Sequence, residues 1–202
     1  MRSSAEPAAA WVGLAALLVV GAGLASLADA RAIDWRPALA WREPWRAWSA
    51  AFVHLSALHL GANLAGAVLV AAFGWAARVP RSAVVAWLVA WPLTQFGLAL
   101  RPDLASYGGL SGVLHAGVAI AALHLACGAS GLRRTIGLAT IAVLLVKVVS
   151  ESPWGAPLRQ VPGWDIAVAP FAHASGLVAG LVTGGAAELV RQRAARPAMS
   201  SS

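Results

Sequence analysis

Apolar residues in this chain neither alternate nor mark one face of a helix. They run on, in six long stretches at about 10–28, 47–73, 82–100, 110–127, 133–149 and 166–190. At about 1.5 Å per helical residue, 17 to 25 such residues cross a hydrocarbon layer of about 30 Å. The pattern predicts an all-α membrane protein, a six-transmembrane-helix bundle forming one domain over residues 1–202. The first run lacks a small-residue cleavage site near its end and reads as a retained span. Connections are short except for residues 29–46 and 150–165, which are rich in Trp and Pro. Indoles prefer the headgroup zone, so both loops are expected at the membrane surface. The segment 191–202, basic and then serine-rich, reads as a disordered cytosolic tail.

Composition sharpens this picture. Charged residues make up 11% of the chain, against about 25% in soluble domains. The net charge of +7 invites a nucleic-acid reading, but the arginines lie in short clusters between apolar runs. Membrane topology accounts for them, and no nucleic-acid partner is expected. With the N-terminus inside, Arg2, Arg78, Arg81, Arg133, Arg134, Arg191, Arg193 and Arg196 fall on the inner side, and Arg31, Arg36, Arg42, Arg46, Arg101 and Arg159 on the outer side. The excess of basic residues inside favours both termini in the cytoplasm. Lys147, near the outer end of the fifth run, is expected to snorkel to the interface. The single Cys127 excludes an internal disulfide.

Polar side chains within spans are costly and face a bundle interior or a wet cavity. Under this topology His54, His59 and Asn63 in the second span, Ser111 and His115 in the fourth, and His173 in the sixth all fall in the outer half. His173, about seven residues into its run, would sit roughly 10 Å below the surface. His59 and Asn63, four apart, share a helix face, as do Ser111 and His115. His54 and His59, five apart, would point away from each other on a helix. That spacing and the lack of an acid beside these histidines argue against a metal site, and no cofactor is expected.

A serine hydroxyl needs a base to become a nucleophile. Gly109 and Gly112 around Ser111 allow an open turn, and a helix starting here offers free N–H groups to an oxyanion. Ala172, Gly176, Gly180 and Gly184 form a small-residue row that lets the sixth span pack closely on the fourth, which carries Gly112 and Ala116. That packing brings Ser111 toward His173 and makes a Ser–His dyad available, with His59 and Asn63 as oxyanion donors. His115, Gly109, Gly112 and His54 are secondary candidates. Each feature also has an ordinary structural reading: a capping serine, hydrogen-bonding histidines, packing glycines. A small transporter would instead need polar groups along a continuous path, whereas His124 is the only histidine toward the inner side.

Three strings, taken in order, resemble the rhomboid intramembrane serine proteases. "EPWRAWSAAFVHLSALHLGANLAG" resembles the family's first-loop W-R and its H-x-x-x-N helix, here His59 and Asn63. "GGLSGV" resembles its nucleophile motif, here Ser111, and "AHASGLVAG" its base motif, here His173. The resemblance spans Trp41 to Gly184. It implies a serine endopeptidase with a Ser–His dyad, acting on a transmembrane or membrane-anchored protein from a wet cavity. The loop from Trp154 to Trp164 would be a cap and the fifth span a lateral gate. His115 departs from the family, which often has an aromatic residue there that stacks on the base. The compact chain and the "GLSGVLH" wording resemble the rhombosortases. That implies a bacterial inner-membrane enzyme, open to the periplasmic side, that removes a C-terminal Gly-Gly-type sorting helix from exported proteins. A catalytically inactive rhomboid-like binding or quality-control factor is the alternative.

Overall fold

Serine, proline and glycine decide where the apolar runs become helices. The computed structural model describes residues 5–195. In chain order the helices are α1 (Ala5–Ala25), α2 (Ala30–Ile33), α3 (Arg46–Ser49), α4 (Ala57–Ala77), α5 (Arg81–Gly97), α6 (Ser111–Gly128), α7 (Gly131–Ser150) and α8 (Pro170–Ala195). A two-stranded antiparallel hairpin, β1 (Arg159–Gln160) and β2 (Ala167–Val168), lies between α7 and α8, with Arg159 opposite Val168. Among the described residues four helices, α1, α4, α5 and α6, are long and apolar enough to cross a membrane. α7 and α8 are as long, at 20 and 26 residues. They carry charged or polar groups: Arg133, Arg134 and Lys147 in α7, and His173, Glu188, Arg191 and Arg193 in α8.

Several expected boundaries move. The second apolar run does not form one helix from 47 to 73. Residues 46–52 make α3 and a 3₁₀ turn, the chain is extended at Val53, and α4 begins only after Ser56. Ser56 Oγ accepts the His59 N–H at 3.0 Å, an N-cap that gives the new helix its start. The sixth run starts late for a similar reason. Residues 167–168 pair in β2, and Pro170 opens α8, where its fixed φ and missing N–H cost nothing. His173 is therefore the fourth residue of its helix, shallower than expected. At the other end α8 stays helical through Ala195, so the residues from 191 to 195 are not a disordered tail. Residues 196–202 and Arg2, used in the topology argument, lie outside the described residues.

The core forms around α6, whose residues are mostly buried. Trp11 of α1 stacks on Trp87 of α5 with ring centroids 4.3 Å apart. Each indole N–H donates to a backbone carbonyl on a third helix, Trp11 to Val70 at 2.9 Å and Trp87 to Val113 at 2.8 Å. These bonds satisfy polar groups that would otherwise be stranded. On its other side α6 meets α8 along the small-residue row. A Cβ at Gly176 would collide with the Gly112 backbone, and one at Gly112 would lie 2.7 Å from the Ala172 carbonyl oxygen. Only glycine permits so close an approach.

The segment leading into α6 is held from outside the bundle. Trp35 and Tyr107 exchange backbone hydrogen bonds, both 2.8 Å, and the Gly109 N–H donates to the Ala50 carbonyl at 2.9 Å. Below the Trp35 bridge, Arg46 donates to the Asp34 carboxylate and backbone carbonyl and pairs with Glu43. Arg101 reaches across to the Pro153 and Gly155 carbonyls at 2.9 and 2.8 Å. Both long loops are thereby tied to the end of the bundle where α4, α6 and α8 begin.

Candidate active site

Ser111 is the first residue of α6, and its hydroxyl does not cap the helix. Its Oγ lies 2.9 Å from His173 Nε2 on α8. The packing of Gly112 against Ala172 and of Gly176 against Gly112, one and three residues along from these side chains, sets this distance. His115 stacks on the His173 ring at 4.3 Å and 11°. One turn below Ser111, it puts its Nδ1 2.7 Å from the Ser111 carbonyl oxygen. The position at which the sequence departs from the family it resembles is thus filled by a stacked imidazole.

A cavity of about 450 Å³ opens over this pair. Its floor includes Ser111, His173, His59, Asn63, Tyr107 and Glu151, and its walls are apolar residues of the 158–169 segment and of α4. Asn63 Nδ2 is buried there without a hydrogen-bond partner. His59 Nδ1 accepts the Leu55 N–H at 3.4 Å, which leaves the proton on Nε2. That Nε2 would lie 3.0 Å from a Cβ at Gly109, whose φ of 146° also calls for glycine. Two donors on α4, Asn63 Nδ2 and His59 Nε2, therefore line the same cavity as Ser111 at the start of α6.

The sequence-predicted residues Ser111, His173, His59, Asn63, His115 and Gly109 all meet at this end of the bundle, and Gly112 makes the helix contact beneath them. His54 differs. It lies on the extended segment before α4, so the helical rule that turned it from His59 does not apply. The two rings approach to 4.8 Å. His54 Nδ1 sits 3.0 Å from the Phe52 carbonyl, and the residue is absent from the cavity lining.

Two charged residues were not foreseen in this role. Glu151, just past α7, places Oε2 2.6 Å from His173 Nδ1, so an acid does stand beside these histidines. A second acid, Glu188, sits 2.6 Å from His124 at the opposite end of the bundle, where Arg191 also holds it. Lys147 does not snorkel away. Its Nζ lies 2.6 Å from His115 Nε2, 2.9 Å from Glu151 Oε1 and 3.2 Å from His173 Nδ1. The available signal was the Lys147–Glu151 spacing of four residues at a helix end on the histidine side. Partial burial pushes the Glu151 carboxyl up, but the His173 and Lys147 contacts outweigh it and hold the group down at about 2. It is a carboxylate at neutral pH.

Over the cavity, the β1–β2 hairpin carries Trp164 with its ring 6.5 Å from that of His59. Asp165 accepts a hydrogen bond from Ser56 Oγ at 2.7 Å, so the hairpin is fastened to the N-cap of α4. Chemically, the set offers a hydroxyl, an imidazole in line with it, a carboxylate behind the imidazole and the unpartnered Asn63 Nδ2 in the same cavity. No protein-family model matches the chain, and no curated protein matches it.

Proposed function

We propose that the protein is an intramembrane serine endopeptidase of rhomboid type. The observation that carries the reading is the 2.9 Å contact between Ser111 Oγ and His173 Nε2, facing a cavity that also holds the unpartnered Asn63 amide. Ser111 Oγ attacks the peptide carbonyl while its proton passes to His173 Nε2. The oxyanion takes hydrogen bonds from Asn63 Nδ2, His59 Nε2 and the Ser111 backbone N–H. His173 then protonates the leaving amine, and water hydrolyses the acyl-enzyme by the same proton path in reverse. All six long helices cross the membrane in this reading. Both termini face the cytoplasm, and the cavity opens to the periplasmic side of a bacterial inner membrane. The substrate is a membrane-anchored protein, and the narrower, rhombosortase-like reading is an exported protein with a C-terminal Gly-Gly sorting helix.

The test is direct. Protein in detergent, treated with a fluorophosphonate probe and digested, should carry the adduct on the peptide containing Ser111. An unlabelled wild type, or an adduct on another serine alone, overturns the reading and leaves a binding-only relative. The substrate class is tested by co-expression with an exported protein ending in Gly-Gly, an apolar helix and basic residues, with the new C-terminus read by mass. Asn63→Ala should lower kcat by about 10²- to 10³-fold, the usual effect of losing one oxyanion donor, with KM little changed. Equal loss in KM would instead mark Asn63 as a ground-state contact.

A further inference from the structure

The dyad has a neighbour that decides where its proton sits. His173 Nδ1 faces two groups of opposite demand: the Glu151 carboxylate at 2.6 Å, which can only accept a proton, and the Lys147 ammonium at 3.2 Å, which can only donate. If Lys147 wins, Nδ1 is the acceptor, the proton moves to Nε2, and N–H points at Ser111 Oγ. That tautomer cannot take the serine proton. If Glu151 wins, Nδ1 carries the proton and Nε2 presents its lone pair to the hydroxyl.

The surrounding bonds favour the second arrangement. Lys147 has two other acceptors, His115 Nε2 at 2.6 Å and Glu151 Oε1 at 2.9 Å. Donation to His115 Nε2 fixes that ring's proton on Nδ1, where it bonds the Ser111 carbonyl at 2.7 Å. Glu151 has two oxygens and uses both, Oε1 for Lys147 and Oε2 for His173. The backbone of Glu151 is itself held, since Arg159 donates to its carbonyl at 2.5 Å from β1.

We propose that Glu151 is the positioning residue that keeps the His173 proton on Nδ1 against the competing Lys147, making the site a Ser111–His173–Glu151 triad. The tautomer assignment stands on geometry alone; its effect on rate rests on the hydrolase reading above. A glutamine at 151 has only one acceptor oxygen. The Lys147 cation claims it, which turns the amide NH₂ toward His173 Nδ1 and forces the unproductive tautomer. Removing the cation as well frees the amide to turn its oxygen back.

The experiment is ring-¹⁵N NMR of the full chain in a detergent or lipid environment, in alkaline buffer where the imidazoles are neutral. His173 signals are identified by their loss in His173→Asn. Wild type should show a protonated Nδ1 and a bare Nε2. Glu151→Gln should reverse this, and Glu151→Gln with Lys147→Met should restore it. Lys147→Met alone should leave the proton on Nδ1, which keeps a readout if Glu151→Gln does not fold. A proton on Nε2 in wild type or in Lys147→Met, or no change in Glu151→Gln, overturns the proposal. Fluorophosphonate labelling should fall by about 10²-fold in Glu151→Gln, the low end of what acid–base catalysis supplies, and recover in the double variant. Tautomers that behave as stated in a wild type that never labels would sink the hydrolase reading and leave this assignment standing.

Discussion

Ser111→Ala and His173→Ala should each reduce peptide cleavage by on the order of 10⁴-fold or more, and the double variant should be no worse than either alone. In the proposed endopeptidase the two side chains act as one device. Without His173, the Ser111 hydroxyl keeps its proton and is a poor nucleophile; without Ser111, the imidazole has nothing to activate. Removing either removes the same step, so the losses do not add. What remains is the cavity with its donors, Asn63 Nδ2 and His59 Nε2, which still favour an oxyanion from attack by water. Helix content and thermal unfolding should stay close to wild type in Ser111→Ala, because that hydroxyl does not cap α6 and alanine suits a helix at least as well as serine. The check is single-turnover cleavage of a membrane-anchored reporter, run beside circular dichroism. Additive losses would mean that the two residues serve separate steps, and the 2.9 Å contact would then be structural.

Much of this arrangement was legible because long apolar runs and small-residue rows are simple signals. Long apolar runs located the six long helices, four of which are long and apolar enough to cross a membrane. The row Ala172, Gly176, Gly180 and Gly184 announced a backbone-level contact, and with it the meeting of Ser111 and His173. What the sequence hid were features set by single local bonds. The Ser56 cap splits the second run and returns His54 to His59, against the helical spacing rule. The pairing of Ala167 with Gln160 withdraws four residues from the last helix. Lys147 looked like an interfacial charge, because a charge at a helix end ordinarily turns to water, and Glu151 drew no reading at all. Their inward turn depends on His115 and His173 standing one above the other, and that follows from the three-dimensional packing of α6, α7 and α8 alone.

Gly176→Val should lose labelling and unfold at a distinctly lower temperature, and it should do so from a position that touches no reacting atom. A Cβ here would meet the Gly112 carbonyl carbon at 2.7 Å and its Cα at 3.1 Å, with the oxygen nearer still. These are backbone atoms in the middle of a helix start, so they cannot turn aside as a flexible side chain would. Relief requires α6 and α8 to separate. Overpacking of this kind costs about 1–3 kcal/mol where neighbours can yield, and more where they are backbone. Ser111 and Gly112 are adjacent, and His173 lies one turn before Gly176, so any separation opens the hydroxyl–imidazole contact directly. A shift of about 1 Å takes a 2.9 Å hydrogen bond beyond useful range. Gly13→Ala is the control: nothing lies within 4 Å of a Cβ there, and alanine in a helix is favoured over glycine by roughly 1 kcal/mol. That variant should label normally and unfold no earlier than wild type. The pair is measured by fluorophosphonate labelling across a temperature ramp. Normal labelling of Gly176→Val would mean that the two helices tolerate a wider spacing, and the small-residue row would no longer explain how the serine reaches its base.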